Sequence, residues 1–120
     1  MLYKILVTLT LFQFSFSNTF FVPDDFDSIQ GAIDASENGD TIFVDSGIYY
    51  ENINFNGKSI VLSSKYILNS DSLLIGTTII DAENEGSVVT FNSQENSNSI
   101  LQGFTCLLYT SDAADDEERV

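Results

Sequence analysis

After Gly39 the chain breaks into short runs of β-branched and aromatic residues: 41–44, 52–55, 59–62, 77–80, 88–91 and 99–104. Runs of four to six residues with this composition read as strands. Between them stand Ser46-Gly47, Asn56-Gly57, Glu85-Gly86 and the polar stretch 92–98, residue types that tolerate left-handed backbone and mark bends. Strand alternation turns Ile42 and Val44, Ile53 and Phe55, and Ile60 and Leu62 toward one side. Thr41-Ile42-Phe43-Val44 and Thr77-Thr78-Ile79-Ile80 are similar strands 36 residues apart, with three strands to each spacing. Stacked triangular coils would produce such a period. Asn56-Gly57 taken alone is a two-residue hairpin signal and argues for antiparallel pairing. The repeat outweighs it, so parallel coils are the preferred expectation.

Ahead of the strands the sequence predicts one short helix over residues 28–37. Asp27 and Gln30 have the spacing of a capping box, in which each side chain satisfies a free amide of the first turn. Ile29, Ala32 and Ile33 fall on one face at helical spacing, and Asn38-Gly39 supplies a left-handed stop.

The two ends read differently from the middle. Residues 1–17 have one cation, Lys4, and then an apolar run from Ile5 to Phe16 interrupted only by Thr8, Thr10, Gln13 and Ser15. That run is too short to span a bilayer, and Ser15 and Ser17 place small side chains before a cleavage at Asn18, the pattern of a secretory leader. The alternative is a buried N-terminal element. From Cys106 the composition shifts, and 106–116 resembles the translation of a transposon-derived sequencing adapter, followed by Glu117-Glu118-Arg119-Val120. The expected organisation is therefore a leader over 1–17, a folded segment over 18–105 and a non-native or disordered tail over 106–120. A solvated acidic tail is the other reading of the last stretch.

Charge narrows the partners. The chain carries 18 acidic and 4 basic residues with no His, a net charge of −14. Nucleic acid and anionic lipid would be repelled, and after leader removal no membrane association is expected. Without His and with one Cys, the usual zinc ligand sets and a Ser-His-Asp relay cannot be built within the chain. Carboxylate chemistry is what remains.

Three groups of residues invite a functional reading. Asp81, Glu83 and Glu85 alternate after a strand and offer oxygen ligands of the kind calcium takes, but their spacing fits no calcium loop and a solvated loop is preferred. Asp24 and Asp25 read as exposed neighbours of the capping Asp27. Tyr49 and Tyr50 offer rings for sugar stacking, against ordinary strand packing. Asn52, Asn54 and Asn56 suggest an asparagine ladder at bends, a structural role. No residue is assigned as catalytic, cofactor-binding or metal-binding, and no cofactor is expected.

Val22-Pro23, Ser28-Ile29-Gln30, Ala32-Ile33, Gly39-Asp40-Thr41-Ile42, Gly47-Ile48-Tyr49, Glu51-Asn52-Ile53 and Gly57-Lys58-Ser59-Ile60 together resemble the N-terminal entry of the pectin-lyase-like superfamily. Thr78-Ile79-Ile80-Asp81 and Ile100 to Thr105 continue the likeness. The resemblance implies an all-β fold, the entry coils of a right-handed parallel β-helix (a solenoid) with a short N-terminal α-helix plugging its open end. It also implies an extracellular or cell-surface protein whose complete form binds or processes polysaccharide, as a lyase or glycoside hydrolase where it is an enzyme. The alternative is a non-catalytic surface or adhesive β-helix protein. Fold alone does not choose between these.

Overall fold

The computed structural model describes residues 16–83, 85–91 and 96–107, and the backbone of 117–119. The expected leader therefore lies outside the described residues except for Phe16 and Ser17, and most of the expected tail lies outside them as well.

Strand β1 (Thr19–Val22) leads into helix α1 (Ile29–Ala35). Then follow β2 (Thr41–Val44), β3 (Gly47–Tyr50), β4 (Ile53–Asn54) and β5 (Val61–Ser64). Two short helices, α2 (Tyr66–Asn69) and α3 (Leu73–Thr77), precede β6 (Thr78–Asp81). The remaining elements are β7 (Val89–Thr90), β8 (Ile100–Gln102), β9 (Thr105–Leu107) and β10 (Glu117–Arg119). They form three sheets, ordered β1-β2-β5-β8, β10-β9-β6-β3 and β4-β7. Every pair is parallel except β9 with β10.

The all-β right-handed parallel β-helix expected from the sequence is not the architecture observed. The chain forms a small α/β-type domain of several short parallel sheets plus helices. Two findings overturn the expectation. The first is that the strands matched by the 36-residue period are not partners: Thr41–Val44 pairs with Val61–Ser64, whereas Thr78–Asp81 lies in another sheet against Gly47–Tyr50. The second is that paired strands have no common spacing, since Thr19 meets Thr41, Thr41 meets Val61 and Val61 meets Ile100, separations of 22, 20 and 39 residues. The α2–α3 insertion falls in the last of these intervals. Local likeness between two Thr-Ile runs reflects a common need to pack on a pleated surface, and it does not specify which strands become neighbours.

Alternation nevertheless sets the core. Ile42, Val44, Ile53, Phe55, Ile60 and Leu62 are all buried, together with Val22, Ile80 and Phe104. Phe104, at the end of the last predicted strand, lies deep in the interior. Helix α1 covers one end of this core with Ile29, Ala32 and Ile33. Among the described residues no buried side-chain nitrogen or oxygen lacks a hydrogen-bond partner, the condition under which polar groups are tolerated inside.

The helix starts differently from the capping-box expectation. Ser28, not Asp27, is the N-cap, its hydroxyl accepting from the Gly31 N–H at 3.0 Å. The Ile29 and Gln30 amides donate to the Glu51 carboxylate at 2.9 Å each. At the other end the Lys58 ammonium donates to the carbonyls of Ile33 (2.7 Å) and Asp34 (3.0 Å). An anion at the N-terminus and a cation at the C-terminus both complement the helix dipole. A helix of seven residues is too short to persist alone; distant side chains and the core hold it.

Asn56-Gly57 adopts the expected left-handed turn, with φ of 54° and 78°. The segments it joins do not pair with each other, because β4 bonds β7 in parallel. The expected tail boundary at Cys106 falls inside β9, and the backbone of β10 returns antiparallel to that strand.

Candidate functional site

Before β2, β5 and β8 the chain makes three polar turns that lie side by side. The Asn38 side-chain oxygen accepts from the Ser59 N–H at 2.9 Å, and the Gly39 N–H donates to the Ser59 carbonyl at 2.8 Å. The Ser59 hydroxyl meets the Asn96 side-chain oxygen at 3.1 Å, and that oxygen also accepts the Asn98 N–H at 2.8 Å. The Ser99 hydroxyl donates to the Lys58 carbonyl at 2.9 Å. Side chains thereby continue, beyond the strand ends, the lateral bonding that the sheet provides within them.

An open groove of about 550 Å³ runs along these turns, lined by Asn38, Gly39, Asp40, Ser59, Val61, Asn98 and Ile100. Asp40 supports it from beneath. Its carboxylate is buried and accepts the Asn18 and Glu37 amides, each at 2.8 Å, and its carbonyl accepts the Val61 N–H at 3.0 Å. Both carboxylate oxygens are thus engaged by the framework. Apart from Asp40 the lining residues are uncharged, with the carboxamides of Asn38 and Asn98 beside the aliphatic Val61 and Ile100, and among the described residues no cation lines the groove.

The residues singled out by sequence do not converge on this groove. Asp81 is buried, its carboxylate accepting the Glu83 N–H at 2.8 Å, while Glu83 and Glu85 are exposed. Among the described residues no group of three or more Cys, Asp or Glu side chains is placed to hold a metal ion. Asp25 accepts the Phe21 N–H at 2.8 Å. Tyr49 donates to the Asp45 carbonyl at 2.9 Å, and burial, with Asp45, Glu51 and Asp24 nearby, raises its pKa above the usual tyrosine value. Tyr50 presents an exposed ring. The asparagines do not stack on one another: Asn52 donates to the Glu85 and Ser87 carbonyls, Asn54 accepts the Asn56 N–H, and Asn56 reaches toward Asp34.

Asn38, Ser59 and Asn98 escaped the sequence reading because each sits in an ordinary turn. Only the sheet register brings the three turns together, and that register has no local signature. No helix among the described residues is long and apolar enough to cross a membrane. No protein-family model, curated protein or solved structure matches the chain.

Proposed function

We propose that the protein is exported and that it binds extracellular polysaccharide in the groove ahead of β2, β5 and β8. The observation that carries this reading is the lining itself. Amide and hydroxyl groups next to a small aliphatic surface suit sugar hydroxyls and the apolar face of a pyranose ring. With a net charge of −14 and no cation in the groove, the preferred glycan is neutral rather than acidic. The leader-like residues 1–17 supply the route to such a ligand.

Affinity electrophoresis of the full chain through gels containing neutral or anionic polysaccharides tests the proposal. Retardation by neutral glycans is expected, with Asn98→Ala weakening binding about tenfold, which corresponds to about 1.4 kcal/mol. Assaying the same glycans for newly released chain ends separates processing from adhesion without cleavage. Unretarded migration through every glycan, with no cleavage, would overturn the reading.

A further inference from the structure

The edges of the β1-β2-β5-β8 sheet are treated differently by the chain. At β1 the outward groups of Phe21 are already occupied. The Phe21 N–H donates to the Asp25 carboxylate at 2.8 Å, and the Phe21 carbonyl accepts the Asp25 N–H at 2.7 Å. Helix α1 also packs on this strand. The last strand of the second sheet, β9, is covered by β10. Strand β8 has no such cover among the described residues. Its Ile100 N–H donates inward to the Ile60 carbonyl at 2.9 Å, so the alternation of a parallel ladder turns the Leu101 N–H and carbonyl outward. Ile100 itself is 39 % exposed.

Natural proteins usually guard an exposed edge with charge, proline or a covering segment. Here the sequence does the reverse. From Asn96 to Leu107 there is no charged residue, in a chain of net charge −14. We infer that β8 is a self-association edge, at which a second copy of this chain adds its own β8 antiparallel about a two-fold axis. Within this sheet the blocked β1 edge excludes head-to-tail addition, and β8 against β8 is the isologous pairing. An isologous contact sets each residue against its own patch on the partner, so any charge there would face like charge. A charge-free edge on an otherwise repulsive molecule meets that requirement, and the pairing closes at two copies.

Sedimentation equilibrium of the full chain in reducing buffer tests this directly. The expected result is twice the monomer mass, with association strengthened by added salt as the remaining charges are screened. Ile100→Lys places like charges across the axis and should raise the dissociation constant at least about tenfold. Asn98→Asp, at an exposed turn position of the same charge-free stretch, should weaken association in the same direction, so the test does not depend on one variant folding. A wild-type chain that stays monomeric at the highest attainable concentration and salt overturns the inference. So does a dimer that survives either substitution with its dissociation constant unchanged.

Discussion

The side-chain amide of Gln30 and the backbone amide of Asn54 hydrogen-bond in both directions, the Gln30 NH₂ donating to the Asn54 carbonyl at 3.0 Å and the Asn54 N–H donating to the Gln30 oxygen at 2.8 Å. A carboxamide has the same donor and acceptor geometry as a peptide group, so Gln30 acts as a one-residue strand on the free edge of β4. Helix α1 is thereby fastened to the two-stranded sheet by a backbone-like contact.

Replacing Gln30 tests that role. Gln30→Glu keeps an acceptor for the Asn54 N–H but loses the donor and sets a carboxylate beside the Asn54 carbonyl and Asp34, which Gln30 now contacts at 3.0 Å. Urea denaturation should show a loss of about 2–3 kcal/mol, against about 1–2 kcal/mol for Gln30→Ala, which removes the bonds without adding repulsion. Equal losses for the two variants would contradict the two-way contact.

The two ends of α1 make a second test. Glu51→Gln leaves hydrogen-bonding capacity but removes the charge facing the Ile29 and Gln30 amides, and should cost about 1 kcal/mol. Lys58→Met removes the donor to the Ile33 and Asp34 carbonyls and should cost about 1–2 kcal/mol. Lys65 is the control: it forms an ion pair with Asp45 and lies over the Phe21 ring, both partly solvated. Exposed pairs contribute little, so Lys65→Met should cost under about 1 kcal/mol. Chemical denaturation of the three variants in parallel gives the ranking.

How far the sequence could be read depends on the range of the physics involved. The inward Ile42, Val44, Ile53, Phe55, Ile60 and Leu62 follow from alternation, and Ile29, Ala32 and Ile33 follow from helical spacing, whereas the consecutive burial of Leu62, Ser63 and Ser64 does not. Alternation and helical spacing are local signals. The N-cap lies one residue beyond the capping-box expectation, because Asp27 and Gln30 have the right spacing but Gln30 bonds Asn54 and the first amides are satisfied by Glu51, more than twenty residues downstream. The strand partners differ from expectation for the same kind of reason. Thr41–Val44 and Thr78–Asp81 share a Thr-Ile composition, yet the first buries Ile42 and Val44 while the second buries Thr78, Ile80 and Asp81, and they lie in different sheets. The groove was invisible because Asn38, Ser59 and Asn98 become neighbours only through that same register.

Gly103 is a position where backbone and packing make the same demand. Its φ is +82°, and a Cβ there would run into the Ser64 hydroxyl and the Tyr66 ring. Gly103→Ala should therefore cost about 2–4 kcal/mol, combining left-handed strain with overpacking. Gly86 has nearly the same φ, +84°, but a Cβ there meets nothing within 4 Å, so Gly86→Ala should cost about 1 kcal/mol from the backbone alone. Thermal unfolding of the pair separates strain from steric conflict. Similar losses would mean that Ser64 and Tyr66 move aside freely.

The raised pKa of Tyr49 predicts how stability responds to alkali. The folded state holds this proton more tightly than the unfolded chain, for which the value is 10.0. Burial is the largest cause, followed by repulsion from Asp45, Glu51 and Asp24. Stability from this source is fully present below pH 10.0 and is lost as pH rises through the folded value, because over that range the unfolded state has released a proton that the folded state retains. Ionised, Tyr49 could no longer donate to the Asp45 carbonyl and would face the three carboxylates as an anion. Tyr49→Phe loses the hydrogen bond at every pH but has nothing to titrate. Wild type should therefore be the more stable of the two at pH 8, by about 1 kcal/mol for one hydrogen bond, and its advantage should shrink steadily above pH 10. Urea denaturation of both proteins across this range measures the difference and cancels the titration of the other tyrosines. A constant gap between the curves would show that Tyr49 ionises as readily in the folded protein as in the unfolded chain.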